Sequence, residues 1–215
     1  MSIALICEGP TDQRFLEWLL GGIYGPDVVV NSTQPPRDET DRDRQGDSGG
    51  WENVFAFFDR PNALEEVFAT NKFMIVQIDT DVCEHENFNV SMRNGDGEKA
   101  VAQLVGDVRD RLIEKMGRDS YQKYQERIFF AICVHSLECW ILPLYARKNS
   151  DIAATLNCEN RLYYALAAIG EKYVKDSKYY RVMTKIIRKE PERRKCYENS
   201  ESLRIFIDSL GQLII

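Results

Sequence analysis

A parallel α/β sheet flanked by helices, continuing into a C-terminal helical extension, is the fold class the sequence predicts, and three observations predict it. Short apolar runs at 2–7, 72–81 and 127–134 stop abruptly at polar residues, as strands buried on both faces do. Amphipathic helical patterns lie between those runs, which is the alternation of a parallel sheet. After residue 146 no strand pattern appears, while 159–170, 177–189 and 200–210 have helical periodicity. The expected organisation is an α/β unit over 1–146 and a helical extension over 147–215 packed on it.

Taken in order, SIALIC (2–7) reads as the first strand. Pro10 suits the first turn of a helix, where its missing N–H costs nothing. Phe15, Leu16, Trp18, Leu19 and Leu20 give that helix an apolar face, and Gly21 and Gly22 are expected to stop it. DVVVNST (27–33) reads as a second strand. The polar, Pro/Gly-rich stretch 34–50 reads as a long mobile loop. Helical patterns at 51–58 and 62–71 lead to KFMIVQIDTD (72–81), the strongest strand. A loop (82–97), an amphipathic helix (98–116) and a fourth buried strand (127–134) follow, and the last runs into HSLECWILPLY (135–145).

The chain has 215 residues, of which 44% are hydrophobic and 29% charged, the composition of a globular protein with a real core. A formal net charge of -6 means that contact with nucleic acid would need a local basic patch or bound cations. KIIRKEPERRKCYE (185–198), with Tyr179 and Tyr180 nearby, is one such stretch; its simplest reading is a solvated helix face. The N-terminus lacks the basic region and cleavage site of a signal peptide. No apolar run approaches the roughly 18 residues of a membrane span. The six cysteines form no CxxC pair, so a zinc site is not expected, and free thiols in a cytoplasmic protein are. Cys7 and Cys133 read as small core residues.

The chemistry concentrates at strand ends. Glu8 follows the first strand, and Asp79 and Asp81 close the third. Ligands of parallel α/β sheets bind outside the carboxyl ends of the strands, and strand residues two apart share a face. Carboxylates gathered there repel one another unless a divalent cation neutralises them; Mg²⁺ suits such oxygen ligands and keeps waters for a phosphate substrate. Asp12 alone reads as a first-turn residue favoured by the helix dipole. Glu138 sits in an apolar segment and needs a partner there, an ion pair or a metal. His85 and His135 each read as structural, with His85 close enough to Asp81 in sequence to line a site.

ICEGPTD and VQIDTD together resemble the two motifs of the Toprim family, a Glu after the first strand and an Asp-x-Asp after a later one. The EG-x-x-D form, with HSLECWILPLY and the later RRKCYENSESLRIFIDSL, is most similar to the OLD (overcoming lysogenisation defect) nucleases and to small Toprim-like proteins of prokaryotic phage-defence loci. The motif-bearing part covers about 1–145. The resemblance implies a Toprim-like sheet and metal-dependent cleavage of DNA or RNA. It implies that Glu8, Asp12, Asp79 and Asp81 hold Mg²⁺ or Mn²⁺, with Glu138 completing a second site and Glu8 serving in acid–base chemistry. It also implies a late catalytic lysine. Lys178 is the choice made here, and Lys172, Lys175 and Lys185 are alternatives. No Walker motif occurs, so the ATPase that defence loci supply would be a partner chain. The oligomeric state stays open, a homodimer included.

Two rival functions are weighed. A non-catalytic Toprim-like scaffold would bind partners without cleaving. A haloacid-dehalogenase-type phosphatase also uses a strand-end D-x-D, but normally after the first strand and with Thr or Val two residues on, where this chain has Cys83.

Overall fold

A computed structural model of the chain describes residues 1–36, 50–95 and 97–211. In chain order the elements are β1 (Ser2–Ile6), α1 (Pro10–Tyr24), β2 (Val29–Gln34), α2 (Trp51–Phe58), α3 (Ala63–Thr70), β3 (Phe73–Asp79), β4 (Arg93–Asn94), β5 (Gly97–Glu98), α4 (Val101–Met116), α5 (Arg118–Tyr124) and β6 (Ile128–Cys133). Beyond β6 lie α6 (Leu137–Tyr145), α7 (Asn149–Ile152), α8 (Cys158–Ala167), α9 (Ser177–Met183), a 3-10 segment (Thr184–Arg188), α10 (Glu190–Asn199) and α11 (Glu201–Leu210). Most of the loop expected over 34–50 lies outside the described residues.

The sheet has four parallel strands in the order β2-β1-β3-β6, which is the α/β class expected. Within the expected 82–97 loop, β4 and β5 form a separate antiparallel pair. The period of two is clean. Ile3, Leu5 and Cys7 face one core with Phe73, Ile75, Phe129 and Ala131, while Ala4, Ile6, Met74, Val76 and Ile78 face the other. The first core is completed by α1 and by residues from α6 onward, including Trp140, Leu162, Tyr180 and Phe206. The second is completed by α2, α3 and α4. The direction in which strands are added reverses between β1 and β3. The β1-to-β2 connection therefore covers one face, and the β3-to-β6 connection covers the other, as right-handed crossovers in opposite directions require. Among the described residues no helix is long and apolar enough to cross a membrane.

Two expectations are corrected. Helix α1 does not stop at Gly21 and Gly22 but runs on to Tyr24 and ends at Gly25, whose φ is 80°. Gly22 serves close packing instead. A Cβ on Gly22 would lie 2.9 Å from Arg188 Cα and 2.6 Å from Arg193 Nη1, so only a bare backbone lets the 3-10 segment cross α1 at that distance. Gly22→Ala is expected to cost about 1–3 kcal/mol by overpacking, read as a lower urea midpoint with the slope unchanged. A midpoint equal to wild type would show that the crossing yields freely. The second correction is that the cysteines are not all free. Cys139 and Cys158 form a disulfide between α6 and α8, whereas Cys7, Cys83, Cys133 and Cys196 are buried thiols outside that bridge.

Candidate active site

The point where strand order reverses lies between β1 and β3, and parallel sheets bind ligands in the crevice outside the carboxyl ends of the strands at such a point. Glu8 leaves β1 on one side and Asp79 ends β3 on the other. The two strands pair directly, and the contact is chemical as well as topological: Glu8 Oε1 accepts a 2.7 Å hydrogen bond from the Asp79 backbone N–H. Asp79 reaches the next strand too, because its Oδ2 accepts from the Leu137 N–H at 3.3 Å, in the first turn of α6. Thr80 and Asp81 donate their backbone N–H groups to His135 O, and Thr80 Oγ1 accepts from the His135 N–H at 2.8 Å. His135 adopts a left-handed φ of 63° at this junction. The segments after β3 and β6 are thereby held together.

Gln77 is the residue that the sequence reading missed. It is fully buried inside β3. Its Oε1 accepts from the Glu8 N–H at 3.1 Å, and its Nε2 donates to Asp79 Oδ1 at 2.9 Å. One carboxamide therefore fixes the strand exit that carries Glu8 and the carboxylate of Asp79. The available signal was a lone amide in an otherwise apolar strand. Gln77→Leu removes a donor and an acceptor at once and leaves both partners without a match. The expected loss is roughly 2–4 kcal/mol of unfolding free energy, measurable by urea denaturation. A loss under 1 kcal/mol would mean that water takes over both bonds.

Asp12 comes from the first turn of α1 and is buried. Gly9 caps that helix without a side chain, and a Cβ there would stand 3.0 Å from Asp12 Oδ2. Glu138, in the first turn of α6, is 3% exposed. Its Oε1 accepts a 2.6 Å bond from Tyr180 Oη and lies 3.7 Å from Lys175 Nζ. Of the two partners weighed for Glu138, an ion pair or a metal, an ion pair is present, with Glu138 buried and Lys175 half-exposed. Lys175 also donates to Glu159 Oε2 at 3.1 Å. Lys178, the lysine chosen from sequence, is exposed on α9, and the structure turns Lys175 toward the carboxylates instead. Lys172 is likewise exposed, and Lys185 stacks over Trp18. His85 packs against Trp51, apart from this group.

Electrostatics tie the carboxylates into one group. Burial, then the charge of Asp12, pushes Glu8 up to about 8, against the pull of the Asp79 N–H. Burial, then Glu138, pushes Asp12 up to about 7. Asp79 is held well above its ordinary value by burial and by Asp12, Glu8, Glu138 and Asp81 together. Asp81, at the open rim, is raised mainly by burial. Burial alone would lower the Lys175 ammonium, and the carboxylates of Glu138 and Glu159 outweigh it and raise it. Five carboxylates thus act on one another, and the Lys175 ammonium interacts with all five.

No protein-family model matches the chain, and no curated protein or solved structure does.

A hard divalent cation fits this group by donor type, since every side chain is a carboxylate, and by charge, since the negative excess is what raises the pKa values. In spacing the group is open. Among the described residues no three His, Cys, Asp or Glu side chains stand together as a ready ligand set. The Glu8 and Asp79 oxygens are spent on N–H donors instead. An open groove of about 500 Å³ between α2 and α4 is lined by Trp51, Phe55, Arg111 and Lys115 and by none of the five carboxylates. Its cations are engaged, Lys115 with Asp59 and Arg111 with backbone carbonyls.

Proposed function

We propose that the chain is a Mg²⁺- or Mn²⁺-dependent nuclease that hydrolyses phosphodiester bonds in DNA or RNA. The observation that carries this reading is the gathering of Glu8, Asp12, Asp79, Asp81 and Glu138 at the switch point of a parallel sheet, where burial and mutual repulsion favour a bound cation. Glu8, Asp79 and Asp81 would hold the cation, with Asp12 and Glu138 beside them. When bound, the cation supplies Lewis-acid stabilisation of the phosphoryl charge and lowers the pKa of a bound water.

The chain's own residues account for the rest. Gln77 and the Asp79 N–H keep Glu8 aimed across the crevice. Without a cation Glu8 is pushed up to about 8 and holds a proton near neutral pH; with a cation beside it Glu8 would be ionised and able to accept a proton from the attacking water. The Lys175 ammonium faces the same crevice and offsets charge that builds on the phosphoryl oxygens as water adds and the ester oxygen leaves. In the cell this would be a toxic effector of anti-phage defence, released or activated by a partner ATPase; that role rests on the sequence resemblance.

Labelled DNA and RNA incubated with the protein in Mg²⁺, in Mn²⁺ and in EDTA test the reading. Cleavage that needs the cation supports it, and cleavage undiminished by EDTA overturns it. The non-catalytic scaffold has one observation in its favour, the hydrogen bonds that already occupy Glu8 and Asp79. Failure to bind Mn²⁺ at millimolar concentration would favour it.

A further inference from the structure

Glu138 and Cys139 are neighbours on α6, and Cys158 and Glu159 are neighbours on α8. The disulfide joins the two cysteines, and the two glutamates beside them hold Lys175 at 3.7 and 3.1 Å. A second path closes the same ring. Tyr180 Oη donates to Glu138 Oε1 at 2.6 Å, and Tyr173 Oη stands 2.8 Å from Tyr180 Oη and 3.2 Å from Glu159 Oε1, with one proton to give to either. The disulfide is thus the covalent side of a ring whose other members position the one ammonium at the acidic crevice. Without it, Glu159 depends on the packing of α8 alone, because the 146–157 connection contains only the single short turn of α7.

We infer that Cys139–Cys158 is a redox-sensitive latch that holds Lys175, Tyr173 and Tyr180 against Glu138, and that a cellular dithiol is the reagent that opens it. Its bearing on catalysis rests on the nuclease reading; the latch itself does not. One thiolate of the dithiol attacks a sulfur of the disulfide and forms a mixed disulfide, releasing the other cysteine. The second thiol of the reagent then displaces the first cysteine. Two electrons and two protons pass to the protein, which gains two thiols, and the reagent leaves as a disulfide. Both cysteines are buried, at 5% and 2% exposure, so the exchange proceeds through local opening of α8.

The test uses the full chain, oxidised with diamide or reduced with dithiothreitol, together with Cys158→Ser, which cannot close the bond. Alkylation after denaturation should count four thiols in the oxidised protein and six in the reduced, as the four other cysteines and the one bridge require. Hydrogen exchange over 158–180 should quicken at least tenfold on reduction and in Cys158→Ser, with β1 and β3 unchanged. Six alkylatable thiols after oxidation, or equal exchange in both states, would overturn the latch. Cleavage assays are a separate readout that bears on the nuclease reading alone.

Discussion

Asp79→Asn should abolish nucleic-acid cleavage while leaving the fold intact. The substitution keeps the size of the side chain. It keeps an oxygen for one of the two bonds that Asp79 now accepts, from Gln77 Nε2 and from the Leu137 N–H. It removes one negative charge from the centre of the group, the residue on which all four other carboxylates act. Loss of a ligand to a catalytic cation typically lowers turnover by orders of magnitude, and here a fall of at least about 10²-fold is expected. Mn²⁺ affinity, read by calorimetry, should fall with it. In EDTA the same variant should melt no lower than wild type, because relief of repulsion offsets the one hydrogen bond lost. Cleavage within threefold of wild type would end the metal-nuclease reading.

The second large effect is on stability against pH. In cation-free buffer Glu8 titrates at about 8 and Asp12 at about 7 in the folded chain, against ordinary values near 4 in the unfolded one. Between those values the native state keeps protons that the unfolded state has lost. Stability from these groups therefore falls as pH rises from about 4 to about 8 and then levels. The groups interact and Glu8 is half-open to solvent, so the combined effect is on the order of a few kcal/mol. Glu8→Gln isolates it, since the new carboxamide can still accept from the Asp79 N–H. In EDTA, the melting temperature of wild type minus that of Glu8→Gln should fall between pH 5 and pH 8. With saturating Mg²⁺ or Mn²⁺ the difference should reverse, because the cation favours the ionised form that Gln lacks. A difference flat across that range in EDTA would mean that Glu8 is not repelled in the fold.

Much of this architecture was legible before any coordinates. SIALIC and RIFFAICV have too little alternation for a half-exposed strand, and both proved to be buried strands of a parallel sheet. The adjacency of Glu8 and Asp79 followed from their strand-end positions, because a parallel sheet gathers such ends at one edge. Other features were not legible for definable reasons. Gly21 and Gly22 look like a helix stop unless the segment crossing them is known, and that segment lies more than 160 residues away. Gln77 reads as a polar lapse in a strand until the Glu8 N–H is placed beside it. Lys175 cannot be told from Lys172 or Lys178 by spacing. What singles it out is a turn that brings it between Glu138 and Glu159. The Cys139–Cys158 pairing likewise depends on α8 folding back onto α6.

The ring that holds Lys175 has a consequence for the order of events at the ribosome. Glu8 and Asp12 are made first and Asp79 and Asp81 some 70 residues later, whereas Lys175 and Tyr180 arrive only when four-fifths of the 215 residues exist. At roughly 5–20 residues per second, the chain spends about 2–8 s between the appearance of Glu138 and that of Tyr180. For most of that interval the acidic group has no ammonium opposite it, and α6 lacks its sulfur partner until Cys158 is made and its hydroxyl partner until Tyr180 is made. The acidic group is thus matched by its ammonium and hydroxyls only after Tyr180 has been made, 42 residues after Glu138.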